Sequence, residues 1–191
     1  YCTLGLSIDI ARSAVNNAKK IIALINPRMP RTHGDGMIHT DRFAKMVFHP
    51  AELHEEFYGD KMGDTEMAIG KNVAELIEDG STLQMGIGTI PDDVLKYLTN
   101  HKDLGVHTEM LSDGVITLVE KDIINNRCKS IHPNKSVTSF ALGSRKLYDY
   151  VNDNPSFAFL DIDYVNDPHI ISRNNKMIAI NSAIEIDITG Q

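Results

Sequence analysis

The chain has 191 residues, of which 42% are hydrophobic and 24% charged, so it suits one ordinary domain or two small ones and argues against wholesale disorder. Its 19 basic and 26 acidic residues give a net charge of −7, which excludes the basic footprint of a nucleic-acid binder. The longest apolar run, 21–25, is far shorter than the ~20 residues of a membrane helix, so we expect no membrane partner. Two cysteines, Cys2 and Cys128, are too few for a disulfide framework and fit a cytoplasmic location.

The first third of the chain predicts a helix, a buried strand and a loop. Apolar residues at a spacing of three or four predict a helix over 8–20. The apolar run 21–25 predicts a strand that ends at Asn26 and Pro27, because proline cannot continue a ladder inside a sheet. A polar loop rich in proline and glycine follows at 26–36. The acidic, non-periodic stretch 48–63 looks like a linker, so we place a domain boundary near 61–65 and expect domains at 1–62 and 63–191.

The rest of the chain alternates strands with helices, which predicts an α/β fold with a largely parallel sheet. Apolar residues at helical spacing predict a helix over 69–77, and Gly80 suits the position just after the end of that helix. The other predicted elements are strands at 82–85, 104–108, 137–141 and 157–160, helices beginning near 91, 115 and 145, and a half-buried strand at 184–188. Because the chain begins at Tyr1 without a methionine and stops just after that last alternation, we expect a fragment of a longer protein.

The turn Gly86-Ile87-Gly88 joins a predicted strand to a predicted helix. Backbone amides at such a turn can hold a phosphate group or a carbonyl oxygen. The pattern is only half of a dinucleotide-binding fingerprint, since Pro91 stands where that fingerprint has glycine, and a plain tight turn is the competing interpretation.

Glu109 follows the short apolar strand 104–108, at the strand end where open α/β sheets bind their ligands. With His107 and Thr108 before it, this carboxylate is a candidate base or nucleophile. The alternative is an ordinary solvated glutamate.

Other polar residues give weaker signals. His33 lies in a glycine-containing loop directly after a buried strand, where either a functional side chain or a simple turn is expected. Glu185 and Asp187 share one strand face, which is typical of a solvated surface. The histidines show no metal-ligand spacing, so we predict no metal site, and no partner motif marks Cys128 as a catalytic thiol.

The chain resembles the acetyl-CoA hydrolase/transferase family of CoA-transferases in five stretches, in order along the whole sequence. They are NPRMPRTHGD at 26–35, LQMGIG at 83–88, GVHTEMLSDG at 105–114, SFALGS at 139–144 and NSAIEIDITGQ at 181–191.

This resemblance implies a protein with two similar α/β domains and an active site between them, of which the chain holds the end of the first and the start of the second. It implies that Glu109 attacks an acyl-CoA thioester, forms a mixed anhydride, and is converted by the returning CoA thiolate to a glutamyl-CoA thioester. A short-chain carboxylate of the acetate, butyrate, 4-hydroxybutyrate or succinate type then takes over the CoA. Coenzyme A is a substrate, no resident cofactor is implied, and the protein is expected to form a homo-oligomer.

Around this nucleophile we expect two sets of contacts. Backbone amides of Gly86, Ile87 and Gly88 would contact the thioester oxygen, since glycine permits close approach. The loop 26–36 would face Glu109 across the domain cleft, and its Asn26 and His33, together with His107, are the candidate substrate-binding residues.

Two alternatives stay open at this point. With water in place of the acceptor acid, the same glutamyl intermediate gives an acyl-CoA hydrolase. A non-catalytic nucleotide-binding or structural module would instead require Glu109 to be ion-paired or fully solvated, away from the 86–88 turn.

Overall fold

The computed structural model describes residues 1–56, 63–183 and 185–190. Residues 61 and 62 of the domain boundary predicted near 61–65 lie outside the described part of the chain. The strands are β1 Cys2–Thr3, β2 Ile21–Ile25, β3 Met37–Ile38, β4 Phe43–Phe48, β5 Thr82–Met85, β6 Gly105–Val106, β7 Met110–Leu111, β8 Ser136–Thr138, β9 Phe140–Ala141, β10 Phe157–Phe159 and β11 Met177–Ile180. The α-helices are α1 Ala11–Asn17, α2 Asp64–Ala74, α3 Thr89–Tyr97, α4 Asp113–Glu120, α5 Arg145–Val151, α6 Ile162–Val165 and α7 Pro168–Ile171.

The centre of the fold is a row of parallel strands. β11, β5 and β6 form a three-stranded sheet in that order. A parallel bridge between His107 and Val137 connects its edge to the parallel pair β8 and β10, and a bridge between Gly34 and Phe159 adds one residue of the early loop. The predicted α/β fold with largely parallel pairing is therefore confirmed. So is the parallel pairing of strands 82–85 and 104–108, which aligns their carboxyl ends at one edge.

Two hydrophobic clusters cover the two faces of β10. Phe157 and Phe159 point into the larger cluster, and Ala158 points into the smaller one, because successive side chains of a strand face opposite ways. The larger cluster also contains Leu6 and Ile8 from the beginning of the chain. Residues 6–8 therefore pack directly on the later sheet, and the Ile8 amide donates a 3.0 Å hydrogen bond to the carbonyl of Ser139. The smaller cluster consists of Val137, Ala158, Leu160 and Val165, with Tyr164 packed against it.

β2 and β4 form a separate parallel pair. The run 21–25 is a strand as predicted, but the side chains of Ile22 and Leu24 are 72% and 64% exposed. The residues that the structure describes therefore leave the side chains of Ile22 and Leu24 largely uncovered.

Several predicted elements differ from the structure. Residues 185–190 contain no strand and are exposed, while Ile184 lies outside the described residues. The prediction of a strand at 184–188 rested on alternation alone, and within the described part of the chain no strand pairs with 185–190. Helix α2 ends at Ala74, so Gly80 does not cap it. Gly80 instead turns the chain into β5 with φ +75° and donates a 2.9 Å hydrogen bond to the carbonyl of Lys102.

Within the part of the chain that the structure describes, no helix has the length and apolar character needed to cross a membrane.

Candidate active site

Glu109 lies at a bend between β6 and β7, and its backbone is firmly held. Its carbonyl oxygen accepts hydrogen bonds from the amides of Ser139 and Phe140, at 2.9 and 3.0 Å, and from Oγ1 of Thr138 at 3.0 Å. Three donors on one carbonyl fix the peptide at this bend, and the Glu109 side chain is left half-buried.

The residue before the bend connects it to the next strand. Thr108, which is 1% exposed, donates from Oγ1 to the carbonyl of Met85 and accepts from the Met85 amide, both at 3.0 Å. This reciprocal pair aligns the end of β5 with Glu109, so the turn after β5 lies beside the carboxylate. The two share a cavity of about 270 Å³, which is lined by Gln84, Met85, Gly86, Ile87, Glu109, Met110, Asn181 and Ser182.

The carboxylate of Glu109 has a neutral hydrogen-bond donor. Nδ2 of Asn166 lies 2.8 Å from Oε2 of Glu109 and donates to it. Asn166 is the residue at which α6 ends, and sequence analysis did not single it out. No local pattern marks an asparagine after a four-residue helix as part of a site, because only the packing of α6 on the sheet brings it to Glu109.

Of the three residues in the glycine turn, Gly86 and Ile87 line the cavity of Glu109. The Gly86 amide is already used, because it donates a 2.7 Å hydrogen bond to the carbonyl of Ile180. Among the described residues, the amides of Ile87 and Gly88 have no acceptor. Of these two amides, only that of Ile87 belongs to a residue lining the cavity.

The glycines are needed for different reasons. A Cβ on Gly86 would lie 2.5 Å from Oδ1 of Asn181, so this glycine permits a close approach of two strand ends. A Cβ on Gly88 would meet nothing within 4 Å, but Gly88 has φ +124° at the start of α3. The expected close approach thus applies to Gly86, whereas Gly88 is required by its backbone conformation.

His107, the third predicted substrate-binding residue, is buried. It is 1% exposed, and its Nε2 donates a 2.9 Å hydrogen bond to the carbonyl of Val165. Its Nδ1 is buried without a hydrogen-bond partner among the described residues. Burial is the main reason why the pKa of His107 lies below its ordinary value.

The structure does not bring Asn26 or His33 into the cavity of Glu109. Both polar atoms of the Asn26 side-chain amide bond to the backbone of Ala51, with Nδ2 donating to its carbonyl at 2.9 Å and Oδ1 accepting from its amide at 3.2 Å. The ring of His33 lies 3.0 Å from a carboxylate oxygen of Asp153. The Phe159 amide donates a 2.8 Å hydrogen bond to the His33 carbonyl, and the Asp35 amide donates a 2.9 Å hydrogen bond to the Phe159 carbonyl. These bonds hold the loop along β10, on the far side of β8 from β6.

Lys129 is a second buried group close to the site. It is 4% exposed, and its Nζ donates 2.7 Å hydrogen bonds to the carbonyls of Val106 and Lys135. Its stem lies over Gly105, where a Cβ would come within 2.6 Å of Cγ of Lys129. Burial lowers the pKa of Lys129 to about 7. No sequence pattern indicates that Lys129 is buried, because a lysine in a polar loop normally remains solvated.

The remaining candidates lie on the surface. Glu185 and Asp187 are exposed near the chain end, as the interpretation of a solvated face predicts. Cys128 is an exposed free thiol. Among residues 1–56, 63–183 and 185–190, no group of three or more histidine, cysteine or carboxylate side chains is arranged to hold a metal ion.

Comparison with known proteins gives matches along the whole chain. It is 49% identical to 4-hydroxybutyrate coenzyme A transferase of Clostridium kluyveri and 48% identical to succinyl-CoA:acetate/propanoyl-CoA:succinate CoA transferase of Fasciola hepatica. Each match covers 100% of this chain but only 44% and 40% of the relative. The crystal structure of 4-hydroxybutyrate CoA-transferase from Porphyromonas gingivalis superimposes with a TM-score of 0.92 at 43% identity, covering 96% of this chain and 46% of that one. The chain thus spans less than half the length of these proteins.

Two domain models of a single family match the sequence. The acetyl-CoA hydrolase/transferase N-terminal domain matches residues 1–56, and the C-terminal domain of the same family matches residues 143–191. The five motifs, the parallel α/β fold and these matches agree, and the chain belongs to the acetyl-CoA hydrolase/transferase family.

Proposed function

We propose that this chain supplies the nucleophile of a CoA-transferase, which moves CoA between an acyl-CoA and a short-chain carboxylate. The observation that carries the proposal is the shared cavity of Glu109 and the Gly86-Ile87 turn, with the carboxylate held by Asn166. A carboxylate nucleophile and unused backbone amides are the two parts that acyl transfer through an anhydride requires.

In the proposed reaction, an oxygen of Glu109 attacks the thioester carbonyl. The carbon–sulfur bond breaks and the CoA thiolate leaves with its electron pair, so that Glu109 carries the acyl group as a mixed anhydride. The thiolate then attacks the glutamyl carbonyl and releases the acyl group as a free carboxylate, which leaves a glutamyl-CoA thioester. The acceptor acid repeats these steps in reverse and departs as the new acyl-CoA, restoring the Glu109 carboxylate.

We assign stabilisation of the negative oxygen to the amides of Ile87 and Gly88. A tetrahedral oxyanion forms at each addition step, and one preorganised backbone donor is typically worth ~3–4 kcal/mol in the transition state. The Gly86 amide is not included, because it already donates to Ile180.

The substrate class that fits best is a small carboxylic acid. A cavity of about 270 Å³ lies below the size usual for drug-like ligands. Its described lining contains amide and hydroxyl groups from Gln84, Asn181 and Ser182 but no lysine or arginine, so neutral donors would hold the acid. Acids of the acetate, butyrate, 4-hydroxybutyrate or succinate type are our candidates, with coenzyme A as co-substrate and no resident cofactor.

The rival functions are less well supported. A structural or nucleotide-binding module requires Glu109 to be ion-paired or fully solvated, away from the turn. Glu109 is instead half-buried beside the turn, and it forms no ion pair with any residue that the structure describes. Hydrolysis would use the same intermediate with water as acceptor, but the relatives reported above are named as transferases.

The test is made on the complete protein that carries this segment. Incubation with acyl-CoA alone should add CoA to the peptide that contains Glu109, which mass spectrometry detects, and a carboxylic acid should discharge the adduct much faster than water. Glu109→Gln should fold normally, form no adduct and lose turnover by ~10³-fold or more. Glu185→Gln, on the exposed chain end, is the matched control. An adduct on another residue, or undiminished turnover in Glu109→Gln, would refute the proposal.

Three features of the complete protein remain proposals. We propose that residues 1–62 and 63–191 belong to its first and second domains, supported by the family matches at 1–56 and 143–191. Limited proteolysis should then cut first near the proposed boundary at 61–65. We also propose that the protein is a cytoplasmic homo-oligomer, which fractionation and sedimentation would test.

A further inference from the structure

The short helix α6 and the residue after it make three successive contacts with the site. Tyr164 places its hydroxyl 2.7 Å from Nε2 of His132, the carbonyl of Val165 accepts the 2.9 Å hydrogen bond from His107, and Asn166 donates to Glu109 at 2.8 Å. Three adjacent residues thus bind three side chains that come from two distant parts of the chain.

These contacts lie along one face of a strand. Residues 105 and 107 point to the same side, because strand side chains alternate, and Glu109 follows at the bend. The stem of Lys129 covers Gly105, and Lys129 is part of the same loop as His132. The loop and α6 therefore meet over the strand that leads to Glu109.

α6 has few other attachments. It is four residues long, and its first turn is capped by the side chain of Asp161, which accepts from the Asp163 amide at 3.1 Å. Val165 packs in the small cluster, and Asn166 itself is exposed. A helix of one turn has little intrinsic stability, so the direction of the Asn166 amide depends on the anchors just before it.

The outermost anchor is held by a constrained loop residue. His132 has φ +49°, in the left-handed region, and its ring meets that of Tyr164 edge-on with centroids 5.6 Å apart. The contact therefore combines a hydrogen bond with aromatic packing, and it sets the position of Tyr164 relative to the strand.

We propose that Tyr164 and His132 are positioning residues, whose hydrogen bond holds residues 164–166 so that the Asn166 amide stays on the Glu109 carboxylate. This inference rests on the function proposed above, in which Glu109 is the nucleophile. Neither residue touches the substrate cavity of Glu109, so both act through Asn166.

The experiment compares Tyr164→Phe with wild type in the complete protein. The variant removes one hydroxyl and keeps the ring in its cluster, so the fold and the melting temperature should change little. We expect kcat to fall on the order of tenfold, since small misplacements of a reacting group are costly, with KM for acyl-CoA unchanged. The crystal structure of the variant should show a lengthened contact between Asn166 and Glu109.

A second variant tests the coupling. His132→Asn retains a residue that tolerates the left-handed conformation but is too short to reach Tyr164. The double variant should be no slower than His132→Asn alone, because the hydrogen bond that Tyr164→Phe removes is already absent from His132→Asn. Tyr150→Phe is the matched control: Tyr150 is also half-buried, its ring meets Phe157 edge-on, and no hydrogen bond of its hydroxyl occurs among the described residues. Its kcat should equal that of wild type.

Glu109→Gln in the same assay separates the two proposals. If Glu109→Gln loses turnover but Tyr164→Phe keeps the wild-type kcat, positioning by Tyr164 is refuted and the function stands. Equal losses in Tyr164→Phe and Tyr150→Phe, or additive losses in the double variant, also refute it. If Glu109→Gln keeps turnover, both proposals fall together.

Discussion

Asn166 donates a 2.8 Å hydrogen bond to Oε2 of Glu109, a residue 57 positions earlier in the chain. The donor is neutral, so it orients the carboxylate without the strong charge neutralisation that an arginine or lysine would impose. A nucleophilic carboxylate benefits from this, because a bound cation would make its oxygen a poorer attacking group.

The first prediction concerns the charge of this donor. Asn166→Asp would set a second carboxylate against Glu109, and like charges raise the pKa of at least one member of such a pair. Because the nucleophile must be ionised, we expect the acidic limb of the kcat–pH profile to move upward by about one unit. Asn166→Ser, which removes the amide without adding charge, is the control and should lower kcat without moving that limb. Superimposable profiles for the two variants would contradict the assigned contact.

The second prediction concerns Gly88. With φ +124°, this position is strained for any residue with a side chain, so Gly88→Ala should lower the unfolding free energy by ~1–3 kcal/mol. It should also lower turnover, because the turn carries the proposed oxyanion donors.

Gly80→Ala provides the matched control for Gly88. Gly80 also has a positive φ, +75°, and a Cβ there would make only ordinary 3.7 Å contacts with Cys128. Gly80→Ala should therefore also lower stability, but turnover of the folded protein should stay unchanged. If Gly88→Ala keeps full turnover after correction for the folded fraction, the turn is merely structural.

The third prediction concerns Lys129. Burial lowers its pKa to about 7 from an ordinary value of 10.5, so between these values the unfolded chain binds more protons than the folded one. The stabilising contribution is therefore complete above pH 10.5 and is lost as the pH falls through about 7. The unfolding free energy should rise with pH in this window by up to ~1.4 kcal/mol per unit.

Denaturation of wild type and Lys129→Met at pH 7 and pH 9 measures this effect. The unfolding free energy of the wild-type protein should rise more between pH 7 and pH 9 than that of the variant. Lys129→Met also leaves the carbonyls of Val106 and Lys135 without their donor, but that loss lowers stability equally at both pH values. Lys19→Met, at an exposed lysine, should behave as wild type. Parallel slopes for wild type and Lys129→Met would show that the amine titrates normally.

The fourth prediction concerns Asp92, which is 8% exposed and accepts a hydrogen bond from Oγ of Ser112. Burial raises the pKa of Asp92 in the folded protein. Its stabilising contribution is therefore complete when the pH is below the ordinary pKa of an aspartate, and it is lost as the pH rises through the higher pKa of the folded state. Asp92→Asn keeps an oxygen acceptor for Ser112 and removes the buried charge. We expect a higher melting temperature at pH 7 and a smaller gain at pH 4, with exposed Glu75→Gln as the control. A loss of stability at pH 7 would contradict this.

The elements with strong local signals were predictable. Strands 21–25 and 82–85 have the predicted bounds, and α5 begins at 145 as predicted. Short apolar runs between turn residues and helical periodicity are properties of neighbouring residues. β4 and β11 were missed, since a strand such as Met177–Ile180 becomes ordered by pairing with β5. The alternation at 184–188 misled for the same reason, as pairing decides whether an extended segment is a strand.

The sequence by itself determined the family, the parallel α/β class and the nearness of Glu109 to the glycine turn, because the motifs and the order of strands and helices are local in the chain. Only the tertiary structure decided which groups surround the carboxylate. It brought Asn166 to Glu109, used the Gly86 amide for Ile180, buried His107 and Lys129, and left Asn26 and His33 outside the cavity. The physical reason is that hydrogen-bond partners and burial are set by packing between segments far apart in sequence, and no periodicity or turn propensity encodes that packing.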